Sequence, residues 1–163
     1  IVAPDLMGNI CEWPVIRELA DKNNLKILVD SADTIGATYD GVSTGSFADI
    51  AITSFYGSHI INGAGNGGML CTSDKNVYER AKLLRSWGRS SSLFSDSESI
   101  EERFKVNLEG IEYYAKFVFE EIGYQLEPSE ISAAFALIQL EKLSENTLRR
   151  REVFDEHTKT TNS

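Results

Sequence analysis

The sequence predicts an α/β sandwich. Short apolar runs at residues 26–30, 50–55 and 68–72 have the length and composition of strands, and segments with helical periodicity lie between and after them. Strand, loop, strand, loop, strand, helix, with apolar strands, is the order of helices packed on a central sheet. The chain has 163 residues, 42% hydrophobic and 25% charged, an ordinary globular balance and long enough to bury a sizeable core.

The elements follow in order. Ile1 to Ala3 ends a buried strand that Pro4 stops, and Leu6-Met7-Gly8-Asn9 is a loop. Trp13-Pro14 opens a helix to about Asn24, because a proline in the first turn gives up an N–H that has no helical partner anyway. Val15, Ile16, Leu19 and Ala20 turn one face of that helix to a core. Residues 26–30 form a strand buried on both faces. Gly36, Gly41 and Gly45 punctuate a loop-rich stretch with a turn at Tyr39-Asp40-Gly41. Residues 50–55 are the next strand, residues 63–68 a glycine-rich turn and residues 68–72 a third strand. Ser73-Asp74 caps a helix over residues 75–87, with Val77, Ala81 and Leu84 as its apolar stripe.

The composition then shifts. Residues 90–99 are Ser-rich and acidic and read as an exposed loop, with a phosphorylated segment or a flexible linker as alternatives. Residues 100–126 carry no clear period. Pro128-Ser129-Glu130 starts one long helix through about His157, with Ile131, Ala134, Phe135, Ile138 and Leu140 facing a core. Arg149-Arg150-Arg151-Glu152 reads as a solvated face.

Charge and cysteine content narrow the function classes. With 16 Lys plus Arg against 25 Asp plus Glu, the net charge of -9 argues against nucleic acid or an anionic membrane as partner. Cys11 and Cys71 are far apart and lack CxxC spacing, so no metal site is expected and the cytoplasm is the natural compartment. No apolar run reaches the roughly 18 residues that span a bilayer. The opening Ile1-Val2-Ala3-Pro4 resembles neither a signal peptide nor a natural start, and the chain is expected to be a piece of something longer.

Three clusters bear chemistry. Asp30-Ser31-Ala32-Asp33 leaves the end of a buried strand, where α/β sheets bind ligands, so Asp30 is either a turn cap or a functional carboxylate. Thr53-Ser54-Phe55-Tyr56-Gly57-Ser58-His59 gathers hydroxyls with one of the chain's two histidines, as a site or as a packed core histidine. Gly63-Ala64-Gly65-Asn66-Gly67-Gly68 leads into a strand rather than a helix, which fits a turn with positive φ and not a dinucleotide fingerprint.

The order of these motifs resembles the DegT/DnrJ/EryC1/StrS sugar aminotransferase family. It is carried by Val29-Asp30-Ser31-Ala32-Asp33-Thr34-Ile35-Gly36-Ala37, Gly45-Ser46-Phe47-Ala48-Asp49-Ile50, Ser54-Phe55 with His59, and Gly65-Asn66-Gly67-Gly68. Trp87-Gly88-Arg89, Gly123-Tyr124-Gln125, Ser129-Glu130-Ile131-Ser132-Ala133-Ala134 and Gln139-Leu140 continue it. The resemblance implies a three-layer α/β/α sandwich of the aspartate-aminotransferase type I fold with a smaller C-terminal domain. Residues 1–89 would be the second half of the large domain, 90–126 a loop-rich connection and 127–163 a helix leading into the small domain.

The same resemblance implies pyridoxal 5'-phosphate or pyridoxamine 5'-phosphate as cofactor. Asp30 would hold the protonated ring nitrogen, and Ser54 would donate to the phosphate. Asp33 stands on the phenolic-oxygen side, where the family usually has Gln or His, and Gln125 stands where an Asn reaches the phosphate of the neighbouring subunit's cofactor. His59 takes the place of the lysine that tethers the cofactor, and no lysine lies between Lys26 and Lys75. This is the mark of the 3-dehydratase branch, with His59 as base, the C3 hydroxyl of a nucleotide-linked 4-keto-6-deoxy sugar as leaving group and an amino acid such as glutamate as amine donor. Ser90-Ser91-Ser92 stands where iron–sulfur members carry cysteine, so no iron–sulfur cluster is expected. A homodimer is implied for the full-length protein. The alternatives are a nucleotide-sugar aminotransferase and a non-catalytic homologue or inactive fragment that serves as a binding module.

Overall fold

A computed structural model describes residues 1–94 and 99–161. It divides into two units, Ile1–Cys71 with Pro128–Ser163, and Thr72–Glu127.

The first unit is built on a four-stranded sheet. Its strands are β1 (Val2–Pro4), β2 (Leu28–Asp30), β5 (Ile50–Ser54) and β6 (Gly68–Thr72), side by side in that order. The first three run parallel, with Val2 opposite Leu28 and Leu28 opposite Ile50. Parallel neighbours need a crossover, and α1 (Trp13–Lys22), with Pro14 in its first turn, supplies it between β1 and β2. Trp13, Ala20, Ile27 and Val29 are fully buried and pack with Ala3. The short β2 has an intermediate-buried-intermediate pattern, so only Val29 is shielded on all sides.

Two carboxylates hold this unit together. Asp5 is 1% exposed; its Oδ1 accepts from the Cys11 N–H at 2.9 Å and from Trp13 Nε1 at 3.2 Å, tying the turn after β1 to the start of α1. Asp49 accepts from the Ile27 N–H at 2.8 Å, from Arg17 at 3.1 Å and from Lys26 at 3.1 Å. The backbone N–H, with the two cations, pulls its carboxyl down to about 2.

Between β2 and β5, the expected turn at Tyr39-Asp40-Gly41 is the tip of a small hairpin, β3 (Thr38–Tyr39) and β4 (Val42–Ser43). Asp40 and Gly41 both have positive φ, 48° and 81°, as a two-residue type I′ connection requires. The expected single long helix is two, α4 (Glu130–Glu141) and α5 (Leu143–Thr161), meeting at Lys142. The expected inward face of α4 is also different: Ser132 and Ala136 are buried, while Ile131 and Phe135 are 81% and 44% exposed. An apolar stripe marks a face suited to burial, but the side a helix buries is set by what packs on it.

In the second unit, α2 (Lys75–Arg85) starts as expected, with Asp74 accepting from the Asn76 and Val77 N–H groups. The side chain it buries is Leu83, beside the predicted stripe. Ser90 and Ser91, expected in an exposed loop, are buried in a 3₁₀ turn over Ser90–Leu93, with the Ser90 N–H donating to the Val118 carbonyl. The rest of that predicted loop, residues 95–98, lies outside the described residues. The stretch without a period contains α3 (Ile100–Arg103) and a hairpin, β7 (Val106–Leu108) and β8 (Ile111–Tyr113), turned by Glu109 and Gly110 at φ 52° and 87°. In Trp87-Gly88-Arg89 the guanidinium lies 4.3 Å from the centre of the Trp87 ring. Gly88, at φ 80°, leaves no room for a Cβ, which would stand 1.9 Å from the Glu121 carbonyl oxygen.

Candidate active site

The candidate site lies where β2 and β5 end. Asp30 is the last residue of β2 and pairs with Ile52, so Asp30, Ile52 and Ser54 fall on one face of the sheet, because side chains two apart share a face. Parallel neighbours are about 4.8 Å apart, which keeps the carboxylate and the hydroxyl at the same edge. The Asp30 Oδ1 accepts from the Ala32 N–H at 3.0 Å, turning the chain sharply after the strand. The Ser31 N–H donates to the Ile52 carbonyl at 2.8 Å and Thr53 Oγ1 donates to the Ser31 carbonyl at 3.2 Å, so the two strand ends are stitched together. Ser54 Oγ accepts from the Tyr56 N–H at 3.2 Å and keeps its own proton free to donate.

The loops beyond the strands bring a second pair together. Asp33 Oδ2 accepts from the Met7 N–H at 2.9 Å, and Asp33 Oδ1 stands 3.8 Å from His59 Nε2. His59 closes a turn by donating its backbone N–H to the Tyr56 carbonyl at 3.0 Å, and its ring meets that of Tyr56 edge to face, centroids 5.8 Å apart. The other ring nitrogen, Nδ1, is buried without a hydrogen-bond partner. The glycine-rich segment acts as the turn its composition suggests. Gly65 and Gly67 have positive φ, and the Phe55 N–H and carbonyl are held by Gly67 and Gly63.

Asp33 and His59 line a cavity of about 760 Å³, within the range of roughly 300–1,000 Å³ usual for small-molecule sites. Arg150, Arg151 and Asp155 of α5 line it too. Arg149 pairs with Glu152 in solvent, as expected of a wet face, but Arg150 and Arg151 turn towards the cavity. Sequence reasoning missed them; the signal was present, since Thr147, Arg150, Arg151, Phe154 and Asp155 recur at helical spacing on one face. The Met7 N–H was also missed, and no sequence pattern announces a backbone donor. Asp30 and Ser54 sit at the sheet edge and do not line this cavity. Gln125 belongs to the second unit, where its backbone bridges to Ser86.

Comparison with known proteins identifies the lineage. The profile of the DegT/DnrJ/EryC1/StrS aminotransferase family matches residues 1–160. GDP-perosamine synthase of Caulobacter vibrioides is 31% identical over 94% of this chain and 35% of its own length. The dTDP-4-dehydro-2,6-dideoxy-D-glucose 3-dehydratase of Saccharopolyspora spinosa is 33% identical over 93% of this chain and 33% of its own length. Among solved structures, an aminotransferase from Psychrobacter cryohalolentis superposes with a TM-score of 0.71 at 29% identity, over 89% of this chain and 34% of that one. The chain thus spans about a third of the length of the relatives it matches. The match from one end to the other, and the shared α/β fold, lead to one conclusion: the chain belongs to the DegT/DnrJ/EryC1/StrS aminotransferase family of pyridoxal-phosphate-dependent enzymes.

Proposed function

We propose that the protein carrying this chain uses pyridoxal or pyridoxamine 5'-phosphate to remove the C3 hydroxyl of a nucleotide-linked 4-keto-6-deoxy sugar. The residues present fit the cofactor. The Asp30 carboxylate keeps Oδ2 without a hydrogen-bond partner among the described residues, Ser54 keeps a hydroxyl proton to donate, and His59 lines the cavity. An acceptor for a ring N–H, a donor for a phosphate and a base are what such a cofactor needs.

When bound, the cofactor supplies an electron sink for negative charge developing at its methylene carbon. Asp30 would accept the ring N–H, and a carboxylate there would favour the protonated ring nitrogen. Ser54 would donate to a phosphate oxygen and so help to hold the cofactor at the end of β5. Where the cofactor's amine has condensed with the sugar's C4 ketone and released water, His59 would accept the proton lost from the methylene carbon and pass it to the C3 hydroxyl, which would leave as water. Gln125 is proposed to reach the phosphate site of a second copy in a homodimer. Glutamate or a similar amino acid is proposed to restore the amine form.

The single observation that carries dehydration is His59, in a stretch from position 27 to 74 that contains no lysine. A second reading is transamination of a nucleotide sugar. The family's description and the aminotransferases among its relatives weigh on that side more heavily than the Saccharopolyspora spinosa dehydratase does. Under transamination the tethering lysine must come from elsewhere in the protein. The protein as expressed from its natural gene, incubated with a 4-keto-6-deoxy sugar nucleotide, pyridoxal phosphate and glutamate, is expected to yield a 3-deoxy product. Amino sugar without any 3-deoxy product would replace dehydration by transamination.

A further inference from the structure

We infer that Arg150 and Arg151 of α5 form the anion site that holds the diphosphate of the nucleotide-linked substrate, and so set where the sugar lies against His59. The inference rests on the reading of the substrate as a nucleotide-linked sugar; it adds the residues that hold it and the group they hold.

Charge sets these two arginines apart. With a net charge of -9, the chain as a whole repels an anion, so an anionic ligand needs a local concentration of cations. Most other arginines are already matched. Arg17, Arg80, Arg85 and Arg149 pair with carboxylates, and Arg89 lies against the Trp87 ring. Arg150 and Arg151 have no carboxylate within ion-pair reach among the described residues. Both are exposed, so an entering anion meets them directly.

Their position suits a ligand site. The cavity of about 760 Å³ is walled by the loops that follow β1, β2 and β5, at Gly8, Asp33 and His59, and α5 faces those loops. Ligands of α/β sheets bind at that end of the strands. Ser58 adds an exposed hydroxyl without a partner among the described residues, a donor for a phosphate oxygen. One guanidinium can donate two parallel N–H groups to one phosphate, so adjacent arginines suit two linked phosphates. The volume points the same way. It lies in the upper part of the small-molecule range and is far more than an amino acid fills.

The substrate's own chemistry demands this proximity. The diphosphate of a nucleotide-linked sugar hangs on C1, and a single ring carbon separates C1 from C3. A side chain acting at C3 and the cations that hold the diphosphate must therefore share one cavity, as His59 and the two arginines do. Two carboxylates line it as well. Asp33 is engaged by the Met7 N–H at 2.9 Å. Asp155, one helical turn beyond Arg151, is left to accept from a hydroxyl of the sugar.

The test uses the protein expressed from its natural gene, saturated with pyridoxal phosphate so that the cofactor's own phosphate site is filled. Inorganic diphosphate is titrated by calorimetry. The wild type is expected to bind it, and Arg150→Gln and Arg151→Gln are each expected to weaken binding roughly 10–10²-fold, the effect of losing a hydrogen bond between charged groups. Arg150→Lys and Arg151→Lys keep the charge but not the fork; they are expected to recover part of the affinity, and they stand in if a Gln variant fails to fold. Arg149→Gln removes the same charge from the solvent face of α5 and is expected to leave the affinity nearly unchanged. In turnover of the keto sugar nucleotide, the Gln variants at 150 and 151 are expected to raise its KM by a similar factor with kcat within about threefold, the pattern of lost uniform binding. Unchanged diphosphate affinity in both variants, an equal loss in Arg149→Gln, or a wild type that binds no diphosphate would overturn the inference. A rise confined to the KM for glutamate would also overturn it, by making the arginines the seat of the donor's carboxylates. None of these results changes the product formed, which alone decides the dehydratase reading. Diphosphate binding that depends on Arg150 and Arg151, in a protein that forms amino sugar and no 3-deoxy product, would overturn dehydration and leave the diphosphate site standing.

Discussion

His59 carries the functional reading, and its replacement is the first measurement to make. His59→Asn keeps a polar side chain of similar reach but no base. Turnover of the keto sugar nucleotide is expected to fall by about 10²–10⁴, the usual contribution of a general base, with cofactor still retained. Activity within threefold of wild type would place the base elsewhere. Asp49 governs a different property, stability against acid. Its carboxyl is held at about 2 against an ordinary 3.8, first by the Ile27 N–H and then by Lys26 and Arg17. A depressed carboxyl stabilises the fold above its unfolded pKa and loses that contribution as pH falls through the folded value. Stability is expected to drop on the order of 2 kcal/mol between pH 3.8 and about 2, and Asp49→Asn is expected to flatten that segment of a pH-dependent denaturation curve.

At the scale of the element, turns and caps do more than hold the chain. Asp40-Gly41 and Glu109-Gly110 each place two positive φ angles at a hairpin tip, and Asp74 satisfies the first N–H groups of α2. Gly88 is the least replaceable of these positions. Gly88→Ala is expected to lower stability by roughly 2–4 kcal/mol, because a Cβ meets the Glu121 carbonyl at 1.9 Å on a backbone already at positive φ. Thermal unfolding with cofactor present or absent measures it; a shift in Tm under 1 °C would mean the Glu121 backbone yields freely. Element boundaries were the least readable feature of the sequence. Nothing in the apolar period from 130 to 157 announces the break at Lys142, and the exposed side chains of α4 were expected inside. Periodicity is local, whereas burial depends on segments far away in the chain.

For the molecule as a whole, the absence of lysine between positions 26 and 75 has a direct consequence for the cofactor. Pyridoxal phosphate is expected to be removable by dialysis, and borohydride is expected to leave it unattached to the protein. A stable pyridoxyl adduct mapped to a lysine of the chain would instead support transamination. The succession of strands along the chain, the first helix and the strand ends bearing Asp30 and Ser54 were legible from the sequence, because apolar runs and strand ends are written in consecutive residues. The hairpin over residues 106–113 was not, since its strands are three residues each and almost wholly exposed. The sequence alone determined the family, the α/β class and the identity of the residues that can do chemistry, through motif order and short-range pattern. The tertiary structure decided that Asp33 faces His59, that the Met7 backbone holds Asp33, and that two arginines of α5 share their cavity. Those contacts join residues 26 to more than 90 positions apart, and only the folded chain brings such residues within reach of one another.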